Sequence, residues 1–150
     1  MIHYSSCPFC KIASRERGDF TYVQDSDIIF EAPHFTAFLG SSRYPNNPCK
    51  ILLIPNEHFT TFKDMPLEFS YEYNKALQKL SAAIELATQS TGTFIWFQNG
   101  LAIQDIPHFH THILPRFPND NFLQGIQRAQ KIGLHERAVW VDKIKLCISK

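Results

Sequence analysis

The segment His108-Phe-His-Thr-His-Ile-Leu114 constrains the fold more than any other stretch of this chain. In a β-strand, residues i, i+2 and i+4 share one face, so His108, His110 and His112 are predicted to project together from a strand. The residues between them face the other, apolar side. A polar strand that faces solvent would explain one such histidine. Three in strict alternation, backed by an apolar face, indicate a functional surface.

The chain has 150 residues, enough for one well-buried core, and we expect a single domain over residues 1–150. Fifteen basic and fourteen acidic side chains leave a net charge of +1, which is not typical of proteins that bind nucleic acid or anionic membranes. No run approaches the roughly 18 apolar residues of a membrane span, and the first residues do not resemble a secretory leader. We therefore expect a cytoplasmic protein with no membrane or nucleic-acid partner.

Hydrophobic periodicity and turn residues predict an α+β fold with a mostly antiparallel sheet, one long helix and a short N-terminal helix. The predicted strands are 20–23, 27–32, 35–39, 51–54, 93–97, 108–114 and 138–148, the first two forming a hairpin and Pro115 closing the sixth. The predicted helices are 7–17, a long helix from a cap at Asp64 to a stop at Gly92, and 121–132. The apolar positions of the long helix are Leu67, Tyr71, Leu77, Leu80, Ile84 and Ala87.

The chemistry of imidazole suits the central histidine of the triad to phosphoryl transfer. A neutral ring nitrogen attacks phosphorus near pH 7 and leaves well afterwards, provided that the other nitrogen donates to a fixed acceptor. A strand holds such a ring rigidly. A neighbouring histidine on the same face can stabilise the negative charge on the phosphate oxygens. An alternating pair such as His110 and His112 meets these requirements, with the first as nucleophile and the second as charge-stabilising donor.

The triad segment resembles the histidine triad (HIT) family, whose pattern is His-φ-His-φ-His-φ-φ with φ apolar, and Thr111 is its one imperfect position. The resemblance extends to Cys7-Pro-Phe-Cys10, Leu53-Ile-Pro55-Asn-Glu-His58, Gln98-Asn-Gly100 and Gln104. It implies a HIT-like fold, often a homodimer, that binds a nucleotide and transfers its nucleotidyl group to the central histidine, here His110. Gln98 and Gln104 resemble family amides that approach the phosphate and the leaving group.

Two cysteines and two histidines form a second candidate site. Zinc takes four sulfur and nitrogen ligands in a tetrahedron, and a Cys-x-x-Cys pair supplies two of them. In several triad proteins that pair is joined by the His of a Pro-x-x-His motif and by the first triad histidine. The matching residues here are Cys7, Cys10, His58 and His108, so the resemblance implies a structural Zn²⁺. Reduced, partly buried thiols beside an unrelated histidine are the alternative.

The sequence departs from the family pattern beside the predicted phosphate site. Lys50 stands where many members have a histidine, and it can serve the phosphate. The acidic or amide residue that grips the ribose falls near Ser42, and the family's Ser or Thr near the leaving group falls at Asp105. A carboxylate at that position repels a polyphosphate. The base, the sugar and the leaving group are therefore left open.

Taken together, these features predict a nucleotide phosphate hydrolase or nucleotidyl transferase that acts on a phosphoramidate or a dinucleoside polyphosphate through nucleotidyl-His110. Two alternatives remain open. The three histidines can instead hold a catalytic metal ion, as in a metal-dependent hydrolase. The chain can also be a catalytically weak nucleotide-binding or scaffold protein that keeps the fold.

Overall fold

The computed structural model describes residues 6–148 of the chain. These residues contain seven strands, four α-helices and four short 3-10 turns. The strands are β1 (Ile28–Glu31), β2 (Phe35–Leu39), β3 (Ser42–Arg43), β4 (Ile51–Pro55), β5 (Gly92–Phe97), β6 (Thr111–Arg116) and β7 (Gln130–Lys131). The helices are α1 (Pro8–Ala13), α2 (Ser70–Thr88), α3 (Phe122–Gly125) and α4 (Leu134–Ile148). Five strands form an antiparallel sheet in the order β1-β2-β4-β6-β5, and β3 pairs with β7 in a separate ribbon. This architecture confirms the predicted α+β fold.

The central strand β4 is buried along its whole length, because helices cover both faces of the sheet around it. Leu53 packs in a core shared with α2 and α4, whereas Leu52 and Ile54 pack with α1 on the opposite face. A strand covered on both faces needs a continuous apolar run, as the sequence has at 51–54. The site described below lies on the α1 face.

The long helix α2 is confirmed, but its bounds and part of its buried stripe differ from the prediction. It begins at Ser70 after two short 3-10 turns, the first of which is closed by Asp64 accepting the backbone N–H of Thr61 at 2.9 Å. It ends at Thr88, because Gln89 adopts a left-handed φ of 56°. The side chains that reach the core are Tyr73, Ala76, Leu77, Leu80, Ala83, Ile84 and Ala87. Leu67 and Tyr71, predicted on this face, are exposed.

The predicted last strand, 138–148, is wrong: these residues belong to helix α4. Arg137, Val141 and Ile144 are its buried positions, and their spacing of four and three residues is that of one helical face. A short segment can carry period-two and helical spacing at once. Packing against α2 favours the helix here.

Two other predicted elements are also wrong. Residues 20–23 form a turn in which Tyr22 has a φ of 55°, so β1 pairs with β2 and the predicted hairpin is absent from the described residues. The predicted helix 121–132 is divided into α3, a 3-10 turn and β7, because β7 leaves the helical path to pair with β3.

The ends of the first helix and of the triad strand also differ from the predictions. The helix is shorter than predicted and stops at Ala13. Pro115 lies inside β6 opposite Thr93, and it is tolerated there because β4 pairs only with Thr111–Ile113. Within residues 6–148, no helix combines the length and the apolar composition that crossing a membrane requires.

Candidate active site and metal centre

The three triad histidines lie in or just before strand β6, the neighbour of β4 in the sheet, and all three are buried. His112 belongs to β6 and pairs with Leu52 of β4 on one side and with Trp96 of β5 on the other. His108 and His110 lie in the extended segment just before it. The residue between them, Phe109, packs into the core on the opposite face, which confirms the predicted alternation.

His110 is held in one tautomer by its own backbone neighbour. Its Nδ1 lies 2.7 Å from the carbonyl oxygen of His108. A carbonyl can only accept, so Nδ1 carries the hydrogen, and in the neutral ring Nε2 keeps its lone pair. The ring of Phe9 packs edge-on against the His110 ring, with centroids 5.0 Å apart. The orientation of the imidazole is therefore fixed from two sides.

Burial lowers the pKa of His110, against the effect of the hydrogen bond to the His108 carbonyl. The Lys50 ammonium lowers this pKa further, whereas the Asp105 carboxylate opposes it. A lowered pKa keeps the ring neutral near pH 7, and the neutral ring is the form that can act as a nucleophile.

His112 lies beside His110, with ring centroids 4.9 Å apart, and stacks on the indole of Trp96 at 4.5 Å with an interplanar angle of 14°. Burial lowers the pKa of His112 to about 3, and the charges of Lys50 and His110 add to this effect. Its Nδ1 is buried without a hydrogen-bond partner among the described residues. His112 is therefore a neutral ring with unused hydrogen-bonding capacity inside the site.

A cavity of about 320 Å³ opens in front of His110 and His112. Its other lining residues come from α1, the turn before β1, strand β2, the segments around β3 and β4, and the loop between β5 and β6: Phe9, Thr21, Tyr22, Val23, Phe38, Gly40, Ser41, Ser42, Lys50, Leu52, Asp105 and Ile106. The cavity thus combines an apolar wall with a cation, a carboxylate, several hydroxyls and two imidazoles. This composition is typical of ligand sites, which are mostly apolar with a few placed polar groups.

Lys50 is the cation that faces the two imidazoles. Burial lowers the pKa of its ammonium, and the Asp105 carboxylate opposes that effect. Its side chain runs along Gly40, where an added Cβ would come within 3.0 Å of Lys50 Cε and 2.8 Å of Leu52 Cδ1. Lys50 and Leu52 fill the space that a side chain at position 40 would need. Lys50 and Ser42 both line the His110 cavity, and their substrate-binding roles stay predictions.

The two predicted amides do not line this cavity. Gln104 is buried, but its Oε1 accepts the backbone N–H of Gly100 at 3.2 Å and its Nε2 donates to the Thr60 carbonyl at 2.7 Å. Both ends of this amide hold loops together. Gln98 follows β5 and is half-exposed. Neither residue belongs to the described lining of the His110 cavity, and their assignment to the leaving group and the phosphate stays a prediction.

A second cluster joins α1, the loop after β4 and the residue two positions before His110. One ligand atom from each of Cys7, Cys10, His58 and His108 lies within 4.8 Å of the others. His108 Nδ1 is 3.5 Å from both sulfurs, and His58 Nδ1 is 3.2 Å from Cys10 Sγ. In a tetrahedral zinc site with bonds of about 2.3 Å to sulfur and 2.0 Å to nitrogen, sulfur and nitrogen lie about 3.5 Å apart. The four residues therefore fit a metal ion of this kind.

The hydrogen bond from the second ring nitrogen of His108 also fits a metal ligand. Its Nε2 lies 3.0 Å from the Pro55 carbonyl, so Nε2 carries the hydrogen and Nδ1 presents its lone pair to the thiols. Metal-bound histidines are commonly oriented by such a bond from the second ring nitrogen. The predicted ligand set is thus brought together, and it could hold a metal.

Three features of the site were missed by the sequence analysis. Phe9 packs on His110, Trp96 stacks on His112, and the His108 carbonyl fixes the tautomer of His110. The position of Phe9 between two candidate metal ligands was a usable signal. The stacking of Trp96 depends on the register of β5 against β6, which the sequence does not encode locally.

An antiparallel sheet with alternating histidines in and just before one of its inner strands, and with a neutral imidazole beside a cation, defines a histidine-triad class of protein. The HIT domain family model matches residues 21–119, more than half of the chain. The chain belongs to the HIT family.

Individual relatives agree with this assignment. An uncharacterized HIT-like protein of Borreliella burgdorferi is 31% identical over 142 residues, covering 93% of this chain and 91% of the relative. An adenosine 5'-monophosphoramidase of Saccharomyces cerevisiae is 28% identical over 113 residues, 75% of this chain and 63% of the yeast protein. A zinc-bound histidine triad protein of Mycobacterium smegmatis superposes with a TM-score of 0.75 at 22% identity, covering 96% of this chain and 94% of that structure. This last similarity confirms the HIT-like fold.

Proposed function

We propose that this protein is a nucleotide phosphate hydrolase or nucleotidyl transferase that works through a covalent nucleotidyl-His110 intermediate. One observation carries the proposal: the His108 carbonyl fixes the hydrogen of His110 on Nδ1, in a cavity that also contains Lys50 and His112. A fixed, neutral imidazole beside a cation suits nucleophilic attack on a phosphate. The yeast relative, named as a monophosphoramidase, supports the same chemistry.

The reaction takes two displacements at phosphorus. In the first, His110 Nε2 bonds to the phosphorus and the bond to the leaving group breaks, its electron pair leaving with that group. In the second, a water oxygen or another acceptor bonds to the phosphorus and the bond to Nε2 breaks, while the acceptor's proton goes to solvent. Hydrolysis thereby releases a nucleoside monophosphate.

The neighbouring side chains stabilise the charge that develops on the phosphate oxygens. The Lys50 ammonium provides a positive charge in the cavity, and a neutral His112 donates one hydrogen bond from whichever nitrogen carries its hydrogen. Ser42 lines the same cavity, and we assign its hydroxyl to the sugar. The assignment of Gln98 and Gln104 to the phosphate and the leaving group rests on the family resemblance alone.

We also propose that Cys7, Cys10, His58 and His108 hold a structural Zn²⁺. Bound there, the ion would tie α1 to the start of β6 and would take no part in the transfer step. The metal-dependent hydrolase alternative needs all three triad histidines at one ion. That alternative is disfavoured, because His108 Nδ1 is turned toward the thiols.

A homodimer formed through β5 is the assembly that we propose. This strand is an edge of the five-stranded sheet, and its hydrogen-bonding groups on one side are open to a further strand. It exposes Phe94, Ile95 and Phe97 by 37%, 38% and 38%. A second copy pairing with this edge would cover these side chains.

Detection of the covalent intermediate tests the proposed function directly. Protein mixed briefly with a nucleoside phosphoramidate and quenched should gain the mass of one nucleotidyl group, located on His110 by peptide mapping. His110→Ala should lose the adduct and several orders of magnitude in kcat, since the covalent route no longer exists. His135→Ala, in an exposed histidine of α4, is the matched control and should retain both.

Circular dichroism should show that both variants are folded. An active wild type whose kcat is unchanged in His110→Ala would contradict the proposal. A folded wild type that binds nucleotide but turns over neither a phosphoramidate nor a dinucleoside polyphosphate would favour the scaffold alternative.

A further inference from the structure

A second cavity, of about 460 Å³, adjoins the His110 cavity. The two share Asp105 and Ile106 as lining residues, so Asp105 stands at their junction. The second cavity has an apolar side that includes Leu101 and Pro107, and a polar side that includes Thr60. A ligand seated against His110 can therefore continue past Asp105 into a second compartment.

The two compartments differ in charge. The His110 cavity contains Lys50, which suits the transferred phosphate. Among the described residues that line the second cavity there is no lysine or arginine, and Asp105 is its one carboxylate. The Cys7 and His58 side chains on its wall are turned to the metal cluster. The second compartment is thus apolar and acidic.

Size assigns different parts of the substrate to the two cavities. At about 320 Å³, the first lies near the lower end of ligand cavities, which span roughly 300–1,000 Å³, and has room for one nucleotide. An in-line displacement places the leaving group on the side of the phosphorus opposite His110 Nε2. Because Asp105 borders both cavities, a leaving group that continues from the first cavity into the second would pass this carboxylate.

We propose that the second cavity receives the leaving group and that Asp105 selects leaving groups that carry an ammonium. The preferred substrates are then nucleoside phosphoramidates of amines that bear a second, positively charged amine, rather than dinucleoside polyphosphates. This inference rests on the proposed function. The carboxylate attracts an ammonium and repels the negative charges of a polyphosphate at the same point.

The transfer step balances without a further reagent. As the bond between His110 Nε2 and phosphorus forms, the phosphorus–nitrogen bond of the substrate breaks, and the nitrogen keeps the electron pair and takes a proton from water. The distal ammonium of the leaving amine stays protonated throughout. Asp105 acts on binding and orientation, so it is a specificity residue and makes no bond to the reacting atoms.

Three substrates of one nucleoside test the proposal: the phosphoramidates of 1,4-diaminobutane and of n-pentylamine, and the dinucleoside triphosphate. The two amides match in length and differ in the terminal ammonium. We expect kcat/KM of the wild type to favour the diamine over pentylamine about fivefold, the scale of one exposed ion pair of about 1 kcal/mol, with the triphosphate slower still. Added salt should reduce this preference, because exposed charges are screened.

The nearly isosteric variant Asp105→Asn should make the two amides equal and should raise kcat/KM for the triphosphate. Asp19→Asn is the matched control, since Asp19 is also exposed but lines a different cavity, and it should keep the preference of the wild type. A preference that is unchanged in Asp105→Asn, or a wild type that favours the triphosphate, would overturn the inference. Formation of the His110 adduct with all three substrates would in either case leave the proposed function standing.

Discussion

His108 contributes to two sites through different atoms. Its ring nitrogen Nδ1 faces the thiols of Cys7 and Cys10, and its backbone carbonyl accepts the hydrogen of His110 Nδ1. A metal ion bound to the His108 ring would therefore also fix the backbone carbonyl that orients the His110 ring, the proposed nucleophile. This is why the first triad histidine can be structural while the second carries the chemistry.

Among the residues that the structure describes, Asp120 is the carboxylate that accepts the most hydrogen bonds. It is buried and lies just beyond the end of β6. It accepts two hydrogen bonds from Arg116 at 2.6 and 2.8 Å, one from Asn47 at 2.8 Å, and the backbone N–H groups of Phe117 and Phe122 at 3.0 and 3.1 Å. These bonds, first of all those from Arg116, lower the pKa of Asp120 well below its usual range. The carboxylate thereby ties the end of β6 to α3.

We predict that Asp120→Asn lowers the free energy of unfolding by about 3 kcal/mol at pH 7, because it leaves Arg116 without its charged partner. Folding depresses the pKa of Asp120, so the stabilisation is complete above its ordinary pKa of 3.8 and is lost as the pH falls through the folded value. Urea unfolding of both proteins from pH 7 downward measures this. The gap should begin to narrow below about pH 4.

Asp142→Asn, in an exposed residue of α4, serves as the control and should change stability by less than about 0.5 kcal/mol. An Asp120→Asn protein as stable as the wild type at pH 7 would show that the network adds no net stability.

At the scale of elements, α1 is a short helix that its own hydrogen bonds cannot stabilise. It has six residues, and isolated helices below about 12–15 residues are marginal in water. Phe9 and Ile12 bury it against the sheet, and Cys7 and Cys10 join it to His58 and His108. The metal cluster is therefore positioned to hold α1, and with it Phe9, against the His110 ring.

We predict that protein prepared without chelators contains about one zinc per chain, measured by elemental analysis. Cys7→Ser should lose the zinc and should lower stability by several kcal/mol, because metal binding at a structural site is coupled to folding. Cys147→Ser should keep both, since Cys147 lies in α4 outside the cluster. Metal-replete wild type with no stoichiometric zinc would refute this prediction.

At the scale of the whole molecule, β5 is an edge strand of the sheet with exposed apolar side chains, and we expect another protein chain to cover it. Strand edges with exposed apolar side chains are prone to pair with another chain. We predict that sedimentation at micromolar concentration gives twice the chain mass. Ile95→Lys should produce a monomer, because it places a charge in the proposed interface.

Leu86→Lys is the control for this experiment. It changes an exposed leucine of α2 that is not part of the proposed interface, and it should leave the dimer intact. A wild type that sediments as a monomer would rule out the proposed dimer. A dimer that persists in Ile95→Lys would place the interface elsewhere.

The sequence alone determined the features that depend on local spacing. Period-two alternation places His108, His110 and His112 on one face of an extended segment, and an unbroken apolar run makes β4 a strand buried on both faces. These patterns are readable because side-chain direction follows from backbone geometry within a few residues. Local spacing did not join Cys7, Cys10, His58 and His108 into one ligand set; that prediction came from the resemblance to the HIT family.

Tertiary structure decided everything that depends on which surfaces meet. Residues 138–148 fit a strand or a helix by spacing, and packing on α2 made them a helix. The sequence predicts Gln104 as a catalytic amide, yet its Oε1 accepts a hydrogen bond from Gly100 and its Nε2 donates one to Thr60. Cys7 and His108 are 101 positions apart and still lie side by side. Local periodicity specifies the face of a residue, whereas its partner is set by the free energy of packing the whole chain.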